Sequence, residues 1–326
     1  MNPAEQETRE LSSNPKLDQV LDQYLNDLQQ GRACSRAELL AKHPDLAVDL
    51  TECLDGIEMI AGLGVGSDLV PKQMGDFSIS ESIGHGAMGV VYRAEQISLK
   101  RPVALKVLRY AVSGKQASKR FEREAELVAT LQHPHIVPVY AFGQHENLNY
   151  FAMQLIDGES LSQWSARAES ERNPKTLATW VAQVARALGH AHARDVVHRD
   201  VKPSNLLKDE QGKIWLTDFG LARRFDDVRM SMTGAMLGTP NYMSPEQASP
   251  GRHPIDYRTD IYSLGATLFE LLTGRTVFLA DTPHAVLAQT LTEEAPPLSE
   301  LVPDCSRDLE TILIKCLAQE LSLIHI

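Results

Sequence analysis

Two short polar motifs in this sequence have residue types and a spacing that suit phosphoryl transfer. The first, His198–Asn205, reads HRDVKPSN, and the second, Asp218–Gly220, reads DFG. Between them lies a short apolar segment, 214–216, with the composition of a strand. Each motif alone is a weak signal, because polar turns and tight turns use the same residue types. Together, in this order and at this distance, they predict a site for phosphoryl transfer.

Four side chains of these motifs would divide the chemistry between the acceptor and a metal ion. Asp200 is placed to accept or orient the proton of an attacking alcohol, and Lys202 to steady the transferring phosphoryl group. Asn205 and Asp218 supply the oxygen ligands that Mg²⁺ prefers. The sequence therefore predicts a magnesium-dependent transfer to a hydroxyl, with Mn²⁺ as an alternative ion.

Segment 83–92 is a glycine-rich loop of the form Gly-x-Gly-x-x-Gly-x-Val between two strand-like segments. Glycines let backbone amides approach phosphates closely, and Val91 would close over a flat base. A dinucleotide-binding fold uses similar glycines, but there the loop leads into a helix, whereas here a second strand follows. We expect nucleotide contacts from Ile83, Gly84, His85, Gly86, Ala87, Met88, Gly89 and Val91.

Lys106 ends the sequence Val-Ala-Leu-Lys, in which the lysine would pair with the α and β phosphates and Ala104 would pack on adenine. Such a lysine needs a carboxylate to orient it, and the following helix offers three. At about 100° per residue, Glu124 falls on the apolar side of this helix, and Glu122 and Glu126 fall outside it. The apolar side is formed by Phe121, Ala125, Val128 and Leu131. Because an unpaired buried carboxylate is costly, we expect a salt bridge between Glu124 and Lys106.

These motifs, in this order, resemble the bacterial eukaryotic-like (Hanks-type) serine/threonine protein kinase family, whose serine/threonine branch carries a lysine at the position of Lys202. The resemblance implies an α+β, two-lobed protein kinase fold with a β-rich N-lobe and a helical C-lobe. Strand-like segments do precede helical ones in this sequence. The resemblance also makes Met153 the gatekeeper behind adenine, with the backbones of Gln154 and Ile156 binding the base. Most relatives carry Glu at the position of Gln154, a difference of little consequence for a backbone contact.

The segment that ends in Ser-Pro-Glu at Glu246 resembles the activation segment of these kinases, where relatives have Ala-Pro-Glu. The resemblance places Thr239 near the catalytic residues, where it would help to position the substrate. Arg199 would pair with a phosphorylated residue of this segment and order it through charge-assisted hydrogen bonds. Our hypothesis is autophosphorylation in trans at Thr233, with Ser231 as the second site.

The C-terminal residues depart from the family pattern. In relatives an arginine after the last helix forms a salt bridge with the glutamate at the position of Glu246, whereas this sequence ends in the apolar segment 321–326. We therefore expect Glu246 to lack that partner. Because an exposed apolar tail needs an explanation, we interpret 321–326 as a non-native tail and the kinase domain as C-terminally truncated.

Periodicity and composition divide the chain into several parts. These are a helical N-terminal module (1–61), a linker (62–75), and a kinase domain (76–320) with an N-lobe (76–153) and a C-lobe (157–320). In the module, Ser35 and Glu38 form a capping box that predicts a helix ending at His43-Pro44. Its helices have single apolar stripes, which favour a docking or dimerisation module whose partner is unknown.

Charge and cysteine content bound the partners and the compartment. The chain of 326 residues has a formal net charge of −11, which argues against nucleic acid or an anionic membrane as the main partner. Its 4 cysteines form no C-x-x-C pair, so we expect reduced thiols. No run reaches the roughly 18 apolar residues of a membrane span. We expect a cytoplasmic protein, with membrane anchoring only through an extension beyond the given C-terminus.

Three functions remain in competition at this point. The leading one is an ATP-dependent protein serine/threonine kinase in bacterial signalling, with protein substrates and ATP as partners and a homodimer for autophosphorylation in trans. A pseudokinase scaffold would predict loss of Lys106, Asp200 or Asp218, and all three are present. A small-molecule phosphotransferase on the same fold is disfavoured by Lys202 and the Ser-Pro-Glu segment, which build a platform for a peptide.

Overall fold

The computed structural model describes most of the chain from residue 71 onward and a small part of what precedes it. The described residues are Val20, 36–43, Leu46, Leu50, 71–86, 89–108, Arg123, 125–145, 148–167, 171–219, 240–249, Gly251 and 254–319. The chain divides into two compact units, Met1–Pro71 and Lys72–Ile326. Several predictions fall outside the described residues, namely those for Ala87, Met88, Glu124, Ser231, Thr233, Thr239 and the tail 321–326.

The first unit contains a short helix, α1 (Arg36–Lys42), where the capping box predicts one. It ends one residue before His43, whose N–H still donates to the carbonyl of Leu39 at 3.2 Å. Leu39, Leu46 and Leu50 are buried, as an apolar stripe requires. The helix that the Ser35–Glu38 motif predicts is therefore present. The rest of the predicted helical module lies mostly outside the described residues.

The second unit begins with a six-stranded antiparallel sheet in the order β1-β2-β3-β4-β6-β5. Its strands are β1 (Gln73–Met74), β2 (Phe77–Gly86), β3 (Gly89–Gln96), β4 (Arg101–Leu108), β5 (Val139–His145) and β6 (Leu148–Gln154). Short connections between β2, β3 and β4 force neighbouring strands to pair antiparallel. Strand β1 falls within the predicted linker 62–75, at its C-terminal end. Met74 pairs with Phe77 and is fully buried, because an apolar side chain beside the sheet gains from joining its core.

The helix before β5 has the orientation that the sequence predicts, as far as it is described. Residues 125–129 are helical, with Ala125 and Val128 buried and Glu126 exposed. Val128 faces a core formed mainly by the following lobe, while Ala125 packs with Phe151 and other residues of the sheet. This helix therefore presents its apolar side to the interior.

The rest of the second unit is mainly helical and carries a small three-stranded antiparallel sheet. The sheet consists of β7 (Gly158–Ser160), β8 (Leu206–Asp209) and β9 (Ile214–Leu216). The helices are α2 (Leu161–Arg167), α3 (Pro174–His192), α4 (Pro245–Ala248), α5 (Arg258–Thr273), α6 (Pro283–Thr292) and α7 (Arg307–Cys316). Single 3₁₀ turns cover Pro203–Asn205, Pro240–Tyr242 and Leu298–Glu300. The α+β, two-lobed architecture is confirmed.

Helix α5 is the central support of this lobe. It is apolar around most of its circumference, and twelve of its residues are buried, as expected for a helix enclosed by other elements. It ends at Gly274, whose φ of 76° is the left-handed conformation that terminates helices. Its first turn carries a buried acid, Asp260, directly beneath the His198–Asn205 loop. In the part of the chain that the structure describes, no helix is long and apolar enough to cross a membrane.

Candidate active site

The backbone of the catalytic loop is fixed by the carboxylate of Asp260. The N–H of His198 donates to its Oδ2 at 2.8 Å, and the N–H of Arg199 donates to its Oδ1 at 2.6 Å. The ring of His192, at the end of α3, donates from Nε2 to Oδ2 at 2.7 Å. Arg199 has a φ of 67°, which is unfavourable for a residue with a side chain and persists only where its surroundings impose it. Asp260 is therefore a structural residue that shapes the loop carrying Asp200.

Asp200, Lys202 and Asn205 meet at one carboxylate oxygen. Lys202 Nζ lies 2.8 Å from Asp200 Oδ2, and Asn205 Nδ2 donates to the same oxygen at 3.1 Å. Asn205 Nδ2 also donates to the backbone carbonyl of Asp200 at 2.8 Å. The 3₁₀ turn at Pro203–Asn205 folds the loop back on itself and makes this convergence local. The predicted acceptor base, cation and amide thus share one site.

The second acid of the site follows strand β9. Asp218 Oδ1 lies 2.7 Å from Lys106 Nζ on β4, and the two side chains are only partly exposed. Asp218 has a φ of 61°, again the left-handed region. The sequence predicts a salt bridge between Lys106 and Glu124, but Glu124 lies outside the described residues. The structure adds a partner that the sequence did not suggest, because β4 and the end of β9 come from different sheets.

His198 connects the two motifs from the inside of the fold. Its Nε2 lies 2.9 Å from the carbonyl of Thr217, which can only accept, so Nε2 carries the proton. Its Nδ1 then accepts the N–H of Asp200 at 3.2 Å. Burial lowers the pKa of this ring, which keeps it neutral. The ring also packs against Phe219 at 4.7 Å between centroids, so one buried side chain aligns both acid-bearing segments.

A cavity opens beside the ion pair of Lys106 and Asp218. Its walls are formed by Lys106, Leu108, Val128, Val137, Val139, Phe151, Met153, Thr217, Asp218 and Phe219. Met153, the predicted gatekeeper, lies opposite Ala104 in the pairing of β4 with β6, and both are buried. The hydroxyl of Thr217 contacts Met153 Sδ at 3.7 Å. This wall is apolar on one side and charged on the other, as a nucleotide requires.

The predicted hinge follows Met153 directly. Gln154 is the last residue of β6, and its N–H donates to the carbonyl of Pro138 at 3.0 Å. Its predicted contact with a base therefore falls to its carbonyl, because a bound N–H is not available. Ile156 lies two residues further on, in the irregular segment before β7, and is partly buried. Both positions remain predictions for base binding.

The glycine-rich segment forms the hairpin between β2 and β3. Gly84 pairs with Val91, His85 with Val90, and Gly86 with Gly89. Ile83 is exposed at 43%, on the open side of the hairpin. The turn itself, 87–88, lies outside the described residues.

One glycine of this loop has a packing role that the sequence did not indicate. A Cβ on Gly89 would lie 2.2 Å from the carbonyl oxygen of Val107, which is far inside contact distance. Strand β4 therefore excludes any side chain at this position, whatever the loop binds.

Glu246 lies at the start of α4 and is buried at 2% exposure. The hydroxyl of Thr259 donates to its Oε1. Its Oε2 is buried and has no hydrogen-bond partner within the described part of the chain. Hydrogen bonds to Asp256 raise the pKa of Arg258, and the charge of Glu246 adds to this effect, so Arg258 is a cation near Glu246. The absence of the family's C-terminal salt bridge to Glu246 stays a prediction.

Sequence reasoning missed two contacts next to this glutamate. Tyr242 donates its hydroxyl to Glu270 on α5, and burial followed by the charge of Glu270 raises the pKa of Tyr242. Gln247 donates from Nε2 to the carbonyl of Arg199 at 2.9 Å. The capping box of Ser244 and Gln247 could have been suspected from the sequence, but it does not predict the contact of Gln247 with Arg199. The first has no sequence signal, since its partners are joined only by the tertiary fold.

Comparison of the sequence with known proteins identifies the family to which these site residues belong. Residues 77–322 match the family described as "Protein kinase domain". The chain is 36% identical over 254 residues to the serine/threonine-protein kinase PrkC of Bacillus subtilis (strain 168), covering 77% of this chain and 39% of that protein. It is 37% identical over 257 residues to the serine/threonine-protein kinase PknB of Mycobacterium tuberculosis (strain CDC 1551 / Oshkosh), covering 76% and 41%.

These matches establish the class of protein. The chain belongs to the protein kinase family, and its curated relatives include bacterial serine/threonine-protein kinases. It spans about two fifths of the length of those relatives.

Proposed function

We propose that this chain is an ATP-dependent protein serine/threonine kinase of bacterial signalling. The observation that carries the proposal is the convergence of Lys202 and Asn205 on Asp200, next to the ion pair of Lys106 and Asp218. These are the groups that phosphoryl transfer needs on its acceptor side and on its nucleotide side. Its relatives' names, as serine/threonine-protein kinases, agree with this proposal.

Asp200 would act on the acceptor. Its Oδ2 is positioned to take the proton of a serine or threonine hydroxyl as that oxygen attacks the γ-phosphorus of ATP. The bond from the γ-phosphorus to the β,γ-bridging oxygen breaks, and ADP leaves. Lys202, which forms an ion pair with Asp200 in this structure, would also neutralise charge on the transferring phosphoryl group. Lys106 would hold the α and β phosphates.

The residues present fit a divalent cation. Asn205 uses its amide N–H group on Asp200, so its oxygen remains the group for a metal, and Asp218 offers a carboxylate. Two protein oxygens with phosphate oxygens are the usual ligand set for Mg²⁺, which retains several waters. We therefore propose Mg²⁺ in preference to Mn²⁺. When bound, the ion would neutralise the negative charge that develops during transfer.

Two alternatives have less support. A scaffold without activity would not need the convergence at Asp200, and it would not need Lys106, Asp200 and Asp218, which are all present in this chain. A small-molecule phosphotransferase would not need the buried cluster of Ser244, Glu246 and Thr259 that supports an acceptor platform.

Regulation by the activation segment forms part of the proposal. Autophosphorylation in trans at Thr233, and secondly Ser231, within a homodimer would order the loop through Arg199. Mass spectrometry after incubation with Mg-ATP tests this, and an unmodified loop peptide beside other filled sites would contradict it. The cytoplasmic location and the partner of the N-terminal module stay predictions.

The activity is tested by transfer of the γ-phosphate to a generic basic protein. We expect Asp200→Asn to lower the rate by about 10²-fold or more, the usual contribution of a general base. The matched control is Asp195→Asn, because Asp195 is exposed and precedes the same loop. Equal labelling by wild type and Asp200→Asn would instead support the scaffold.

A further inference from the structure

The side-chain amide of Gln247 bridges two segments of the site. On its own helix, its Oε1 accepts the N–H of Ser244 at 3.2 Å. Its Nε2 donates to the backbone carbonyl of Arg199 at 2.9 Å. One amide group therefore connects the first turn of α4, which belongs to the Ser-Pro-Glu segment, to the peptide bond that leads into Asp200.

The residue before that peptide bond, Arg199, has an unfavourable backbone conformation, and several hydrogen bonds hold the backbone around it. Arg199 has a φ of 67° and donates its N–H to Asp260 at 2.6 Å. The next N–H, that of Asp200, is donated to His198 Nδ1 at 3.2 Å. Gln247 contacts the carbonyl of the same peptide plane. The plane that carries Asp200 is therefore held on its N–H side by His198 and on its carbonyl side by Gln247.

We propose that Gln247 is a positioning residue for Asp200, a role that rests on the proposed kinase activity. Through the Arg199 carbonyl it fixes the rotation of the peptide before Asp200, and through Ser244 it sets that peptide relative to the acceptor platform. Asp200 must lie within hydrogen-bond reach of the acceptor hydroxyl, so a small rotation of this plane lowers the transfer rate.

The simpler interpretation is that Gln247 only caps α4. A capping box uses the side-chain oxygen of this residue toward the N-cap N–H, which is the contact with Ser244. The contact through Nε2 leaves the helix and has no part in capping. A substitution that keeps the oxygen and removes the donor therefore separates the two roles.

Gln247→Glu is that substitution, and it carries a pH signature. As a carboxylate, Glu would face the Arg199 carbonyl with no proton to donate, whereas as a carboxylic acid it would donate again. We expect burial and the nearby Asp200 to raise the pKa of this Glu. The ratio of kcat for the variant to kcat for wild type should be about 0.1 at pH 8 and should rise as the pH is lowered, with KM for ATP unchanged.

The matched control is Gln211→Glu, in an exposed turn between β8 and β9. Its kcat ratio should stay near 1 at every pH. A kcat ratio for Gln247→Glu that stays near 1 at every pH would overturn the positioning role. A loss confined to KM would overturn it as well. Circular dichroism melting of both variants identifies a loss of kcat that comes from unfolding.

A second measurement does not depend on activity. Amide hydrogen exchange over 196–201 should be faster in Gln247→Met than in wild type, with exchange in α5 unchanged. Gln211→Met provides the control. Unchanged exchange at Arg199 and Asp200 would overturn the role of Gln247 even in an active kinase. If Gln247→Met exchanges faster but the wild-type protein transfers no phosphate, the proposed kinase activity is refuted, and the contact of Gln247 with the Arg199 peptide is not.

Discussion

Asp260→Asn is expected to destabilise the folded chain and to lower its transfer activity. The carboxylate is fully buried and accepts three hydrogen bonds, from the N–H groups of His198 and Arg199 and from His192 Nε2. Asn is nearly the same size, so the substitution leaves the packing of α5 unchanged. It replaces one accepting oxygen by an NH₂ group, which must face a donor.

The expected magnitude follows from these contacts. A hydrogen bond to a charged group contributes about 1.5–3 kcal/mol, and a buried donor left without an acceptor costs about 1–3 kcal/mol. Losing one bond and leaving one donor unsatisfied gives about 2.5–6 kcal/mol. The favoured orientation of Asn keeps its oxygen where Oδ2 now accepts two donors, so the Arg199 N–H loses its partner. Arg199 can then leave its left-handed conformation, which moves Asp200.

Urea unfolding at pH 7.5 measures the loss, and γ-phosphate transfer measures the effect on Asp200. Asp308→Asn is the control, because Asp308 is also in the first turn of a helix, α7, but is exposed. We expect a change of at most about 0.5 kcal/mol for the control. A loss below about 1 kcal/mol for Asp260→Asn, with normal activity, would refute the idea that this carboxylate shapes the loop.

Two further predictions concern pH and packing. Burial lowers the pKa of three histidines in the folded chain: His133, His190 and His198. The unfolded chain therefore binds more protons below about pH 6.5, and the free energy of unfolding, measured in urea, should fall as the pH is lowered from 7.5 to 5.5. Gly89→Ala should lower the same quantity by about 1–3 kcal/mol, because its Cβ would meet the Val107 carbonyl at 2.2 Å and push β3 from β4. Gly189→Ala, in open space on α3, should instead raise it by about 0.5–1 kcal/mol.

Each of these predictions has a contrary outcome. Burial raises the pKa of Glu270, so this side chain takes up a proton more readily in the folded chain than in the unfolded one. Its protonation therefore increases the free energy of unfolding as the pH falls. An unfolding free energy that rises from pH 7.5 to 5.5 would mean that this group outweighs the histidines. Equal stability of Gly89→Ala and wild type would show that β4 moves aside without cost.

The catalytic-loop residues could be predicted because their geometry is local. Asp200, Lys202 and Asn205 lie within six positions of one another, and a single 3₁₀ turn brings them together. The spacing of a short motif largely determines which of its side chains can meet. The same holds for α1, which lies where the Ser35–Glu38 motif and the following proline predict a helix.

Other features could not be found in this way. Strand β1 was not predicted, because Gln73–Met74 is too short to show a strand period and joins the sheet through its partner β2. The glycine-rich motif indicated phosphate binding, but the constraint on Gly89 comes from Val107 on a different strand. Periodicity reports the element in which a residue lies, and contacts between elements have no local signal.

The sequence alone therefore determined the class of chemistry, through motif residues whose roles depend on residue type and short spacing. The tertiary structure decided the pairing of Lys106 with Asp218, the hold of Asp260 on the Arg199 peptide, and the contact of Gln247 with the same peptide. These pairs are far apart in the chain. Their energies come from burial and hydrogen bonding in the folded lobe, and those exist only when the elements that carry them have packed together.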